Sequence, residues 1–161
     1  DASVEGERQH VPVDEYTTNV KDMVMKIRQR LDIPVILMTP PPVSPTAWDK
    51  YCLDTFNERR STRSNTLAHQ YGNAVKSVGA ELGMSVVDSW SLLKGDTEEG
   101  VYGRYLRDGL HLSGEGNRIL FEGLMEVIGK DFPDLVPMED GDGKYGEKGV
   151  AMEEKLWKEL C

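Results

Sequence analysis

The sequence predicts an α/β protein with a parallel, doubly wound sheet, and three observations carry that expectation. Two long segments, 14–31 and 63–82, repeat apolar residues at helical spacing. Two short β-branched runs, 33–38 and 84–88, each follow one of those segments. The connections are short, and helix, strand, helix, strand in that order is the pattern of the α/β class.

Residues 1–13 are polar and irregular, with Gly6, His10 and Pro12, and read as a loop in which His10 packs beside Pro12. Asp14 and Glu15 then stand where a helix N-terminus favours negative charge. Tyr16, Val20, Met23, Val24, Ile27 and Leu31 form one apolar face, and Lys26, Arg28 and Arg30 suit the C-terminal dipole. Ile33-Pro34-Val35-Ile36-Leu37-Met38 is continuous and apolar without alternation, which predicts a strand covered on both faces. It stops at Thr39-Pro40-Pro41-Pro42, a run with no ladder donors in its prolines. Ligands in open α/β sheets collect at the carboxyl ends of strands, so Thr39, Pro40 and Pro41, together with Leu110, are candidate pocket walls. The Pro run equally serves simply to end the strand.

Residues 43–62 carry Trp48, Tyr51, Cys52, Leu53 and Phe56 among polar residues. A short helix and a lid, packed onto the domain, are expected there, with the aromatic residues lining an apolar acyl pocket as the alternative. Arg59, Arg60 and Arg63 read as a solvated face. In the second long helix Leu67, Tyr71, Ala74, Val75, Val78 and Leu82 make the stripe, His69 falls off it and Gly83 ends it. Met84 to Asp88 is the second strand, and Gly95 to Gly103 a polar, acidic loop. A last amphipathic helix begins at Gly114, capped by Ser113, with Ile119, Leu120, Leu124, Val127 and Ile128 inward. The fold is expected over 1–135, a Gly-rich acidic linker over 136–149 and a short helix over 150–161.

The chain of 161 residues has the length of one domain. A formal net charge of -9 and a pI near 4.8 argue against nucleic acid and against an anionic membrane surface. No apolar run has transmembrane length. Cys52 and Cys161 form no metal or redox spacing, so two reduced thiols in a cytoplasmic protein are expected.

Asp108-Gly109-Leu110-His111-Leu112-Ser113 places a carboxylate and an imidazole three residues apart, ahead of a capped helix. An aspartate that accepts the imidazole Nδ1–H sets the tautomer and frees the other nitrogen as a general base. An isolated Asp-x-x-His is also simply a loop Asp and a surface His, so the pattern alone leaves both readings open.

The order of motifs adds to this. A strand ending in Thr-Pro-Pro-Pro, a strand ending in Val87-Asp88-Ser89-Trp90, and a tyrosine-bearing stretch into Asp-Gly-Leu-His-Leu-Ser-x-x-Gly resemble the SGNH hydrolases, or GDSL-type esterases. The nearest branch is the isoamyl acetate-hydrolysing esterases, which the Gln9-His10-Val11-Pro12 stretch also resembles. The resemblance covers about 1–135. It implies a three-layer, flavodoxin-like parallel sheet of about five strands, of which only the C-terminal two-thirds is present. It also implies Ser-His-Asp ester hydrolysis, with Asp108 and His111 as catalytic residues, a small-molecule ester (a short-chain acyl ester such as an acetate) as substrate, and no metal or organic cofactor.

The family's Gly-Asp-Ser block occurs nowhere in the chain, and neither do its oxyanion Gly and Asn blocks. None of Ser3, Ser44, Ser64, Ser89, Ser91 or Ser113 has a nucleophile context, Ser89 coming nearest. The nucleophile and oxyanion donors are therefore expected upstream of Asp1, itself read as the last residue of a Gly-x-Asn-Asp block. On this reading the chain alone is inactive and poorly stable. Three roles stand open: part of an ester hydrolase; an inactive remnant acting as a binding or dimerisation module, a homodimer included; and an unrelated flavodoxin-like binding domain.

Overall fold

The structure is a computed structural model, and it describes residues 3–31, 33–58 and 62–136. The elements run α1 Val13–Arg30, β1 Ile36–Met38, α2 Pro45–Phe56, α3 Asn65–Leu82, β2 Ser85–Val87, α4 Ser89–Leu92, α5 Glu99–Tyr102 and α6 Gly114–Asp131. Short 3-10 turns occupy Gly103–Tyr105 and Pro133–Leu135. Two compact units result, residues 1–127 and residues 128–161. Of the second, the described part is the last turn of α6 and the 3-10 turn after it. Arg59, Arg60 and Cys161, almost all of the expected 136–149 linker and the 150–161 helix lie outside the described residues.

The α/β reading holds, with helices around a small parallel sheet. β1 pairs with β2 in register Ile36 to Ser85, Leu37 to Val86 and Met38 to Val87. Pro34 delays the first strand to Ile36, because a proline offers no ladder donor. α3 crosses both strands, and its close approach depends on small residues. A Cβ on Gly79 would lie 2.3 Å from Val86 Cγ2, and one on Gly72 would lie 3.4 Å from Thr39 Cβ. The buried stripe of α3 is accordingly Ala68, Tyr71, Gly72, Val75, Val78 and Gly79. It is rotated from the expected one, since glycine and alanine let backbones meet where leucine cannot. α1 packs against α3, with Tyr16 edge-on to Tyr71 at 5.0 Å.

The expectation of a strand covered on both faces is not met. Side chains alternate along a strand, and Met38, opposite in sense to Leu37, remains 43 % exposed. Met23 and Leu31 of the predicted α1 stripe are exposed too, leaving Val20 and Val24 as its buried residues. α2 likewise buries Cys52 while Tyr51, Leu53 and Phe56 stay exposed, against the expectation that it packs down onto the domain. Two strands are too few to cover this much apolar surface.

Caps delimit the helices, at Ser113 and Gly83 as the sequence suggested and at further positions besides. Ser44, Ser64 and Ser113 accept from the amides of Ala47, Leu67 and Gly116. Asn57 and Gly83 end α2 and α3 in the left-handed region. The stretch Gly95–Gly103, read as a loop, is partly helical because Glu98 and Glu99 open a single turn. A second core of Leu93, Tyr102, Tyr105, Leu106 and Leu120 sits beneath the Asp108 loop. Arg63, expected in a solvated face, is half-buried and donates to Gln9, next to a bridge between Arg63 and Ser3.

Purified alone, the polypeptide 1–161 is predicted to bind a hydrophobic dye and to unfold over a broad range, since apolar faces and strand edges stand open. A sharp, cooperative thermal transition of a soluble monomer would contradict that account.

Candidate active site

The loop after the second core turns sharply at Gly109, whose φ is +92°. A Cβ there would lie 2.4 Å from Trp48 N and 2.6 Å from Ser44 O, so only glycine fits. The Gly109 carbonyl accepts from the Ser44 amide at 2.8 Å. The loop is thus seated on the first turn of α2. Its two ends are pinned as well: the Arg107 amide donates to His111 O at 2.7 Å, and the Ser113 amide to Tyr105 O at 2.8 Å.

Within this turn Asp108 and His111 meet. His111 Nδ1 lies 2.7 Å from Asp108 Oδ2, while Asp108 Oδ1 accepts from the amides of His111 at 2.8 Å and Leu110 at 3.0 Å. Three donors converge on one carboxylate whose side chain is only 3 % exposed. Burial alone would raise the Asp108 pKa. The amide and ring bonds from His111, the amide of Leu110 and the imidazole charge outweigh it and hold the carboxyl at about 2. Asp108 is therefore an anion throughout the neutral range, and in the neutral imidazole the proton sits on Nδ1. The His111 side chain is 59 % exposed, and Nε2 has no hydrogen-bond partner among the described residues. Trp48 stands edge-on to the imidazole, with ring centroids 6.1 Å apart.

The first turn of α2 is itself tied from outside. Glu99 accepts from the Ser44 hydroxyl, from the Thr46 amide at 2.9 Å and from the Thr46 hydroxyl at 3.1 Å. Glu99 did not stand out in the sequence as a site residue, and Trp48 did so only as one of several aromatic residues of a pocket-lining alternative. The only signal for the Ser44 contact was Ser followed by Pro at a helix start.

The other predicted positions divide. Leu110 is half-buried and contributes its amide to Asp108. Thr39 is not an open pocket wall: it is 3 % exposed, donates to Asp88 at 3.2 Å and accepts from the Trp90 amide at 3.3 Å. The ends of both strands converge there and bury it. Pro40 and Pro41 are half-buried. Asp88 also receives Lys76 and Ser91. Burial would raise its pKa, but these bonds bring it below the usual carboxylate value. Trp90, beside it, donates to Asn65 at 2.9 Å and stacks on His69 at 4.0 Å, so His69 is half-buried rather than exposed. His10 donates to the Ser3 carbonyl at 2.7 Å.

The serines lie elsewhere than on His111. Ser44, Ser64 and Ser113 cap helices, and Ser91 is bound to Asp88. Ser3 and Ser89 are each 1 % exposed. No cluster of three His, Cys, Asp or Glu side chains suited to a metal occurs among the described residues, and no helix among them is long and apolar enough to cross a membrane.

A family model described as GDSL-like Lipase/Acylhydrolase matches residues 1–124. An isoamyl acetate-hydrolyzing esterase 1 homolog of Mus musculus is 40 % identical over 134 residues, 81 % of this chain and 52 % of that one. The Homo sapiens homolog is 38 % identical over 134 residues, 81 % of this chain and 52 % of that one. The chain thus spans about half the length of the curated relatives it matches. Among solved structures, a lipase/acylhydrolase from Enterococcus faecalis aligns with a TM-score of 0.59 at 23 % identity, covering 79 % of this chain and 55 % of that one. An acetylxylan esterase from Geobacillus stearothermophilus aligns at 0.57 and 22 % identity, covering 78 % and 51 %. Both similarities concern the fold.

The Asp108 carboxyl is predicted to titrate near pH 2 when its carbon resonance is followed by NMR. The sign follows from the lowered value. The ionised form is favoured in the folded state, so its stabilisation is complete above about pH 4 and is lost as the pH falls through about 2. The shift corresponds to roughly 2 kcal/mol. Gly109→Ala forces the loop off α2 and moves the midpoint back toward the ordinary aspartate value. An unchanged midpoint in that variant would mean that the clamp does not hold the pair.

Proposed function

The chain belongs to the GDSL-like lipase/acylhydrolase family, and from that premise we propose that Asp108 and His111 are the acid–base half of a carboxylic-ester hydrolase site. The substrates are short-chain acyl esters, acetate esters among them. The observation that carries the reading is the 2.7 Å contact between a buried, ionised carboxylate and an exposed imidazole with Nε2 unoccupied.

Nε2 of His111 takes the proton of a serine hydroxyl as that oxygen adds to the ester carbonyl. The imidazolium so formed is stabilised by Asp108, which does not itself become protonated. The tetrahedral adduct then collapses, its bond to the alcohol oxygen breaks, and His111 returns the proton to that oxygen. A water, deprotonated by His111 in turn, releases the acid and restores the serine. The seat on α2 keeps the imidazole oriented through these proton transfers.

The nucleophile and the oxyanion donors are not among these 161 residues in this reading. Losing a triad serine costs on the order of 10⁶ in turnover, so residues 1–161 by themselves are catalytically silent. The relatives' names support the acetate-ester assignment, and the absence of a Gly-Asp-Ser stretch supports the silence.

The test is hydrolysis of p-nitrophenyl acetate and isoamyl acetate by the natural gene product that carries these residues. His111→Ala is expected to lower kcat by about 10⁴ to 10⁶, and Asp108→Asn by about 10⁴. The isolated 1–161 polypeptide gives no rate above buffer. Wild-type-like hydrolysis by His111→Ala would falsify the assignment, and turnover by 1–161 alone would place the nucleophile within it.

A further inference from the structure

α2 opens without an acid of its own. Its N-cap is Ser44, its first helical residue is Pro45, which has no N–H, and its first turn holds no acidic side chain. The Ser44 hydroxyl accepts from the Ala47 amide, which leaves the Thr46 amide to be satisfied. Glu99 takes it at 2.9 Å, through the same carboxylate oxygen that accepts the Ser44 hydroxyl, while its other oxygen accepts the Thr46 hydroxyl at 3.1 Å. Both oxygens of Glu99 are therefore engaged on α2. Ser44 is 3 % exposed, so its hydroxyl is shut off from bulk water and depends on that carboxylate for an acceptor.

The stretch that carries Glu99 is also the stretch that leads into the Asp108 loop, and it holds Ser44 at both ends. Glu99 takes the Ser44 hydroxyl, and Gly109 takes the Ser44 amide at 2.8 Å. Between them a Cβ on Gly103 would lie 4.0 Å from Ser44 Cβ and Oγ, so the intervening turn passes alongside the same residue. Tyr102, on the same short helix as Glu99, is fixed in the second core.

We propose that Glu99 is a positioning residue of the Asp108–His111 pair, acting through Ser44. The inference rests on the reading of that pair as half of an ester-hydrolase site and deepens it. The link runs from the Glu99 carboxylate to the Ser44 hydroxyl, from the Ser44 amide to the Gly109 carbonyl, and so to the turn that brings Asp108 and His111 to 2.7 Å. Without the carboxylate the buried hydroxyl has to turn to another acceptor, and the residue that carries it shifts. The backbone of Gly109 is too close to α2 to leave slack for that shift. A misplacement of about 1 Å costs on the order of 10² in rate. What Glu99 supplies is reach rather than charge. A glutamine offers the same acceptor to Ser44 and the Thr46 amide and donates to the Thr46 hydroxyl, whereas an aspartate keeps the charge and falls one methylene short.

The experiment uses the natural full-length polypeptide, p-nitrophenyl acetate as substrate and the nitrogen-15 spectrum of the His111 ring. Glu99→Ala and Glu99→Asp are expected to lower kcat about tenfold to a hundredfold with KM held within about twofold, because Glu99 acts on geometry and not on substrate binding. In both, the Nδ1 proton of His111 loses its downfield position. Glu99→Gln restores kcat to within about threefold and restores the spectrum. Glu98, next in the chain, is exposed and its side chain caps nothing, so Glu98→Ala changes neither readout. If Glu99→Ala does not fold, the order of Gln above Asp still decides. Parent-level kcat in Glu99→Asp overturns the proposal, as does a Glu99→Gln variant as slow as Glu99→Asp, or an equal loss in Glu98→Ala. A fall in kcat with an unchanged His111 spectrum overturns it too, since the loss then has another route. Ester hydrolysis by His111→Ala defeats the hydrolase assignment instead, and the His111 spectrum of Glu99→Asp then judges the link by itself.

Discussion

The hydrogen bond from the Ser44 amide to the Gly109 carbonyl, at 2.8 Å, seats the candidate site on the fold. Around it the backbone of the Asp108 loop comes so close to the first turn of α2 that no Cβ fits at Gly109. Everything chemical at the site is downstream of that approach. Asp108 is buried because the loop is pressed against α2 and the second core. Being buried, it has to collect donors, and the Leu110 amide, the His111 amide and the His111 ring supply them. The imidazole inherits its orientation from the carboxylate, and its ring centroid lies 6.1 Å from that of Trp48.

The seat is supported in turn by two parts of the chain. Glu99 fixes Ser44 and Thr46 from the α5 side. From the sheet side, β1 delivers the chain to Thr39, which is locked to the end of β2 through Asp88 and to the Trp90 amide. Three prolines then carry it to Val43 and Ser44. Val43 donates to Asn65, which also receives Trp90 and donates to Gly95 O. The carboxyl ends of the two strands, the starts of α2 and α3 and the Asp108 loop are thus one connected hydrogen-bonded region. This is where an open α/β sheet places its ligands.

Much of this was legible in the residues. The α1 and α3 periodicities, the two β-branched runs and the Ser113 cap give the element order, because each is a local signal. The Asp108–His111 pair was legible because its three-residue spacing closes a turn on itself. The misses around the site are long-range. His69 lies off the α3 stripe, yet it meets Trp90, which a distant turn brings to it. Thr39 looked like a pocket wall, and only the pairing of two strands shows that it is enclosed. Glu99 stood in a run of acidic residues with nothing local to distinguish it from solvated charge. The exposed Met38 and the exposed rings of α2 reflect a sheet of two strands, where the family resemblance implied about five. Periodicity marks which side chains are apolar and says nothing of how much structure is at hand to cover them.

The central claim is that Asp108 holds His111 in the tautomer a general base requires. The most direct measurement is the nitrogen-15 NMR spectrum of the His111 ring in its neutral form, recorded on the natural polypeptide. The account predicts a protonated Nδ1, with its proton shifted downfield by the Asp108 carboxylate, and a bare Nε2. A ring protonated at Nε2 instead, or one averaging freely between the two tautomers, would contradict it.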